Sequence, residues 1–123
     1  WTKTKTILQL ALENDHLEVF KLLLSIPEID VNDRYLMTKN IDNYKDDETI
    51  LHIAIDEEKK NFIQLLLNHP NIDVNSKCYF TNLNEESEMT GLLLATYNNS
   101  HQIVNLLLSH PNIDVNSKVV EVQ

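Results

Sequence analysis

The apolar residues of this chain fall into three bursts written on one template. Thr6–Asn32 reads TILQLALENDHLEVFKLLLSIPEIDVN, Thr49–Asn75 reads TILHIAIDEEKKNFIQLLLNHPNIDVN, and Thr90–Asn116 reads TGLLLATYNNSHQIVNLLLSHPNIDVN. The blocks align over 27 residues without a gap, and they start 43 and then 41 positions apart. Leu8, Leu51 and Leu92 correspond, as do Ala11, Ala54 and Ala95, and the leucine triplets that close at Leu24, Leu67 and Leu108. Self-similarity at a nearly fixed period marks a repeat architecture.

Inside each block the spacing predicts two short helices. Leu8, Ala11 and Leu12 recur at helical intervals, one apolar face a couple of turns long. Thr6, Thr49 and Thr90 stand where a hydroxyl can accept from a free first-turn N–H, and Gln9 completes a capping-box pattern with Thr6. A break is expected at Asp15, Glu58 and Asn99, because Asp and Asn tolerate the left-handed conformation of a helix end and Glu does so less readily. A second helix follows through Val19, Phe20, Leu23 and Leu24 and their counterparts. Pro27, Pro70 and Pro111 close it, since the residue before a proline is driven toward extended geometry. Helices this short are marginal alone, so each unit must bury its face on the next, as in a solenoid. Neither outer block carries a polar version of that face. The expectation is a fragment of a longer array, open to end-face self-association.

The nonapeptide HPNIDVNSK occurs at His69–Lys77 and again at His110–Lys118, with IPEIDVNDR at Ile26–Arg34. Pro stops the helix, Ile and Val face inward, and Asp and Asn bond the turning backbone. The phrase reads as a structural joint.

These residues resemble the ankyrin repeat, whose unit opens Thr-Pro-Leu-His with an Ala two residues on, continues through a Val-x-x-Leu-Leu helix and ends Asp-Val-Asn. TILHIA at Thr49–Ala54 and the three IDVN segments carry the likeness. Ile7, Ile50 and Gly91 replace the proline, only His52 keeps the histidine, and the inter-helix glycine is absent. The period exceeds the usual figure of about 33. The resemblance implies an all-α helical solenoid with β-hairpin-like loops, elongated here. One domain spans 1–123, with repeats at about 6–48, 49–89 and 90–123. The outgoing arms DRYLM, SKCYF and SKVVEV look extended, each following a basic residue with apolar ones.

Composition narrows the function. Ten Lys and Arg stand against nineteen Asp and Glu, a net charge of −9. Nucleic acid and anionic membrane surfaces are poor matches, because both are held by clustered basic residues. A basic protein partner is electrostatically easier. Cys78 is the only cysteine, so an internal disulfide is excluded. No apolar run approaches a membrane span, and WTKTKT is not a signal peptide. The expectation is an intracellular, cytoplasmic setting.

A row of equivalent residues suits a binding surface, whereas catalysis needs distinct groups to converge. His52 is expected to be a buried hydrogen-bonding residue. His69 and His110 lack zinc-ligand spacing, one glycine excludes a Gly-rich phosphate loop, and Asp46–Asp47 sit in a polar loop. No enzymatic activity and no cofactor are expected.

The resemblance places the partner-facing concave surface on the first helices and hairpins. The candidates there are Glu13 and Asn14, Asp56 and Glu57, and Tyr97 and Asn98, with Asp15 and Glu58 extending the acidic run. Acid at a helix carboxyl end opposes the dipole by a few tenths of a kcal/mol per residue, which points to a basic ligand or to a solvated face. The loops hold Tyr35, Tyr44, Tyr79 and Phe80, which suit partner contact or packing between fingers. Asn98–Ser100 fits a glycosylation sequon that chance explains. The Leu-x5-Asp-Val-Asn context of Asn32, Asn75 and Asn116 resembles that of ankyrin asparagines modified by asparaginyl hydroxylases. The reading is a non-catalytic protein-recognition scaffold. The alternative is a structural spacer or regulatory segment of a larger enzyme, channel or effector.

Overall fold

The computed structural model describes residues 2–3, 5–39, 44–82 and 85–122. In chain order the elements are β1 (Thr2–Lys3), α1 (Ile7–Glu13), α2 (Leu17–Leu24), β2 (Arg34–Lys39), β3 (Tyr44–Thr49), α3 (Ile50–Asp56), α4 (Lys60–Leu67), β4 (Lys77–Asn82), β5 (Glu85–Thr90), α5 (Gly91–Tyr97), α6 (His101–Leu108) and β6 (Val120–Val122). Each sequence block is one helix pair. Helices α1, α3 and α5 stack in one row and α2, α4 and α6 in another, so each short apolar face is covered by its neighbour. No helix among the described residues is long and apolar enough to cross a membrane.

The helix starts follow the threonines. Thr6 accepts from the Gln9 N–H and Thr90 from the Leu93 N–H, both at 3.3 Å. The reciprocal half of a capping box forms in the second unit instead of the first. There the His52 Nδ1 accepts from the Thr49 N–H at 3.3 Å, whereas the Gln9 amide turns to Glu13. The expected breaks are where the pattern put them: Asp15, Glu58 and Asn99 have φ of 57°, 56° and 58°. At the first, the His16 N–H reaches the Ala11 carbonyl and the Asp15 N–H the Leu12 carbonyl. The same pair recurs at Lys59 and Glu58 and at Ser100 and Asn99, a Schellman closure made three times without glycine. Glu58 carries the strain of that geometry most fully, since a Cβ in the left-handed region costs roughly 1–2 kcal/mol. Glu58→Gly is therefore expected to be more stable than Glu58→Ala by about 1 kcal/mol in urea unfolding, the reverse of the usual order within a helix.

The repeated phrase is a joint in two senses. Within each unit an aspartate closes its own turn: Asp30, Asp73 and Asp114 accept from the N–H of Asn32, Asn75 and Asn116 at 2.9 to 3.1 Å. Between units the asparagines form a ladder. The Asn32 amide donates to the Asn71 carbonyl at 2.7 Å and accepts from the Asp73 N–H at 2.8 Å. Asn75 makes the same two bonds to Asn112 and Asp114, both at 2.8 Å.

The all-α class needs correction. The hairpin arms form one antiparallel six-stranded sheet in the order β1-β2-β3-β4-β5-β6. Long fingers, such as β2 on β3 paired from Arg34–Thr49 to Lys39–Tyr44, lie side by side and bond across units through Asp46–Phe80 and Asp47–Tyr79. Asp46 and Asp47, expected in a polar loop, are thus strand residues.

One hydrophobic core runs through the stack. Phe20, Ile50, Ala54, Ile55, Ile63, Leu66, Ala95 and Leu107 are all fully buried. Phe20 meets Phe62 of the next unit edge-on, with centroids 5.0 Å apart.

Candidate functional site

The first-row helices end side by side, which brings Glu13–Asp15, Asp56–Glu58 and Tyr97–Asn99 into one row. Much of the acid in this row has an internal partner. Glu13 pairs with Lys5 at 2.7 Å and accepts from the Gln9 amide at 3.2 Å. Lys59 pairs with Asp15 at 3.0 Å and Glu57 at 3.7 Å, and it donates to the Leu12 carbonyl at the end of α1 at 2.6 Å. A cation on that carbonyl is well placed for the helix dipole, so Lys59 offsets the acid that the sequence left unexplained. Glu58 accepts from the nearly buried Ser100 hydroxyl at 2.7 Å. The Asn98 amide donates to Asp56 at 3.1 Å, tying α5 to α3, while the Asn14 amide folds back on the Leu10 carbonyl. Tyr97 differs from all of these. Its side chain is 78% exposed, one residue before the Asn98 that bonds Asp56.

The finger aromatics divide. Tyr35 is 9% exposed, and its hydroxyl meets the Thr6 hydroxyl at 2.7 Å. Burial raises its pKa, and packing accounts for it fully. Tyr79 is half-buried, opposite Glu88 on β5 and Asp47 on β3. Tyr44 pairs in register with Lys39, and Phe80 with Asp46 and Ser87; both side chains lie outside the described residues. An open cleft of about 510 Å³ at the finger bases is lined by Arg34, Asp47, Asp73, Lys77, Tyr79 and Glu88. Arg34 spans it, donating to Asp47 at 2.8 Å and also to the Lys77 carbonyl. Local sequence pattern assigns no role to Lys59 or Arg34; the basic residue that opens each finger arm is the available signal for Arg34.

Asn32 and Asn75 spend their amides on the ladder, whereas Asn116 is exposed at its end. Burial pushes the Cys78 thiol up to about 12, which keeps it protonated and a poor nucleophile. His52 is buried with its pKa lowered to about 4 by desolvation. Among the described residues no three His, Cys, Asp or Glu side chains are grouped to hold a metal ion.

A family model described as ankyrin repeats (3 copies) matches residues 34–119, more than two thirds of the chain. Neither the curated proteins nor the solved structures yield a match.

Proposed function

This chain belongs to the ankyrin-repeat family, and from that premise we propose that it is a recognition scaffold whose partner is a basic protein segment bound along the first-row helix ends. Ankyrin repeats generally mediate protein–protein interaction and are typically non-catalytic. The observation that carries the finer reading is Tyr97. An aromatic ring 78% exposed gains nothing from the core, and Asp56 and Glu57 stand exposed nearby in the same row. A ring beside carboxylates suits a partner's arginine or lysine, held over the ring face and paired with the acid. The net charge of −9 steers such a partner in. Glu13, Asn14 and Asn98 frame this surface, and Tyr79, which lines the finger cleft with Arg34, Asp47, Asp73, Lys77 and Glu88, is a separate candidate contact. Tyr35 has no part in it.

Tyr97→Ala combined with Asp56→Lys and Glu57→Lys is expected to abolish capture of the partner from lysate. The melting temperature should stay within about 5 °C, since these are surface positions. Unchanged capture would favour the spacer reading, which the internal pairing of Asp15 and Glu58 supports.

A further inference from the structure

The joint between the first and second units holds a cation that the joint between the second and third lacks. The Lys59 ammonium sits 3.0 Å from Asp15 and 3.7 Å from Glu57, and it donates to the Leu12 carbonyl at 2.6 Å. It also lies 5.9 Å from the centroid of the Phe62 ring. Its side chain is only 20% exposed, so the chain fills this joint with a lysine of its own. The alignment of the blocks puts Ser100 where Lys59 stands, Glu58 where Asp15 stands and Ile103 where Phe62 stands.

Serine is too short to fill the same space. Glu58, Ser100 and Ile103 together line an open cleft of about 290 Å³ between the second and third units, with Lys60 and His101 also on its walls. The charge differs as much as the volume. Asp15 is neutralised by Lys59, whereas Glu58 receives only the neutral Ser100 hydroxyl, at 2.7 Å on one carboxylate oxygen. Among the described residues no Lys or Arg pairs with Glu58, and that includes Lys60. Glu58 also has φ of 56°, a conformation that favours glycine, and a carboxylate is held there nonetheless. It follows directly on Asp56 and Glu57, so the cleft adjoins the row of helix ends.

We propose that this cleft is a lysine subsite: a partner's lysine enters between the second and third units as Lys59 does between the first and second. Its ammonium pairs with Glu58, and its methylene stem lies on Ile103, since lysine buries its stem readily while the head stays polar. Ile55, the counterpart of Leu12, is fully buried, which leaves the Glu58 carboxylate and the Ser100 hydroxyl as the acceptors. The subsite rests on the reading that a basic segment lies along the first-row helix ends, and it adds where one lysine of that segment inserts. An ion pair shielded from water by cleft walls is stronger than one on an open face.

Titrating acetyl-hexalysine amide into isotope-labelled protein tests this by nuclear magnetic resonance. The amides of Glu58, Ser100 and His101 are expected to shift together with those of Asp56 and Tyr97. Glu58→Gln, which removes the charge and keeps the shape, and Ser100→Lys, which fills the cleft from within, should each weaken binding about fivefold. Both should also lose the shift at His101. Ser100→Lys recreates the first joint, so its melting temperature should equal or exceed that of the wild type. Asn105→Lys adds the same charge at an exposed position of α6 and should keep the affinity within about twofold. The Tyr97→Ala/Asp56→Lys/Glu57→Lys variant separates the subsite from the row. Loss of the peptide by that variant, with wild-type affinity in Glu58→Gln and Ser100→Lys, would leave the row standing and overturn the subsite. Wild-type affinity in that variant, with the shifts at Glu58 and His101 kept, would remove the row and support the subsite. Several millimolar peptide that leaves Glu58 and Ser100 unshifted in the wild type would also overturn it.

Discussion

Phe20→Ala is expected to destabilise the first unit by about 4 kcal/mol. The ring is fully buried and packs edge-on against Phe62 with centroids 5.0 Å apart. Removing a buried phenylalanine costs roughly 3–5 kcal/mol through lost transfer energy and the cavity left behind, and the ring pair adds about 1 kcal/mol. The loss falls on one joint, since in a stack each unit contacts only its neighbours. Amides of α1 and α2 should exchange at least about a hundredfold faster, while those of α5 and α6 keep their protection. An equal loss across all six helices would show that the stack unfolds as one unit and that the joints are not separable.

His52→Leu comes next in size and acts through hydrogen bonds more than through volume. The fully buried His52 ring has its Nδ1 2.8 Å from the Thr49 hydroxyl and 3.3 Å from the Thr49 nitrogen, and its Nε2 2.9 Å from the Ser76 carbonyl. A neutral ring donating from Nε2 and accepting at Nδ1 satisfies all three, and so joins the start of α3 to the approach to β4. Leucine leaves the Thr49 N–H and the Ser76 carbonyl without this partner, at about 3 kcal/mol in total. Protonation attacks the same site. The folded pKa is lowered to about 4, with desolvation the first cause, against about 6.5 in the unfolded chain. The unfolded state then binds the extra proton between those values. The contribution of His52 is complete above about pH 6.5, falls as the pH drops through that window, and levels off below about 4, a loss on the order of 3 kcal/mol. Urea midpoints at pH 7 and pH 4.5 check this. The wild type should lose more stability over that interval than His52→Leu, and parallel profiles would contradict the role given to the ring.

The sequence was legible where structure is local and repeated. The breaks at Asp15, Glu58 and Asn99 appear as left-handed residues, because apolar spacing on either side leaves nowhere else for the chain to turn. The Asp-Val-Asn joint was readable because each aspartate bonds a backbone N–H two residues on. What escaped was long-range. Lys59 reaches a carbonyl 47 residues earlier, and no local pattern marks that contact. Tyr35, a plausible partner residue by composition, bonds Thr6 at 29 residues' separation. The sheet was underestimated for a similar reason. Each arm looked extended, but the pairing of β3 with β4 joins fingers of different units, and their sequences do not repeat. Tyr97 was a candidate for standing where the units vary; its exposure is what the fold added.

The central claim, that a partner meets this chain along the first-row helix ends, is tested most directly by placing a photoreactive amino acid at position 97 and, for comparison, at exposed Gln64 on α4. Irradiation in lysate followed by mass spectrometry should give one dominant protein adduct from position 97, with lysine- or arginine-rich sequence at its cross-linked peptide, and none of that adduct from position 64. Equal adducts from both positions, or none from position 97, would contradict the claim.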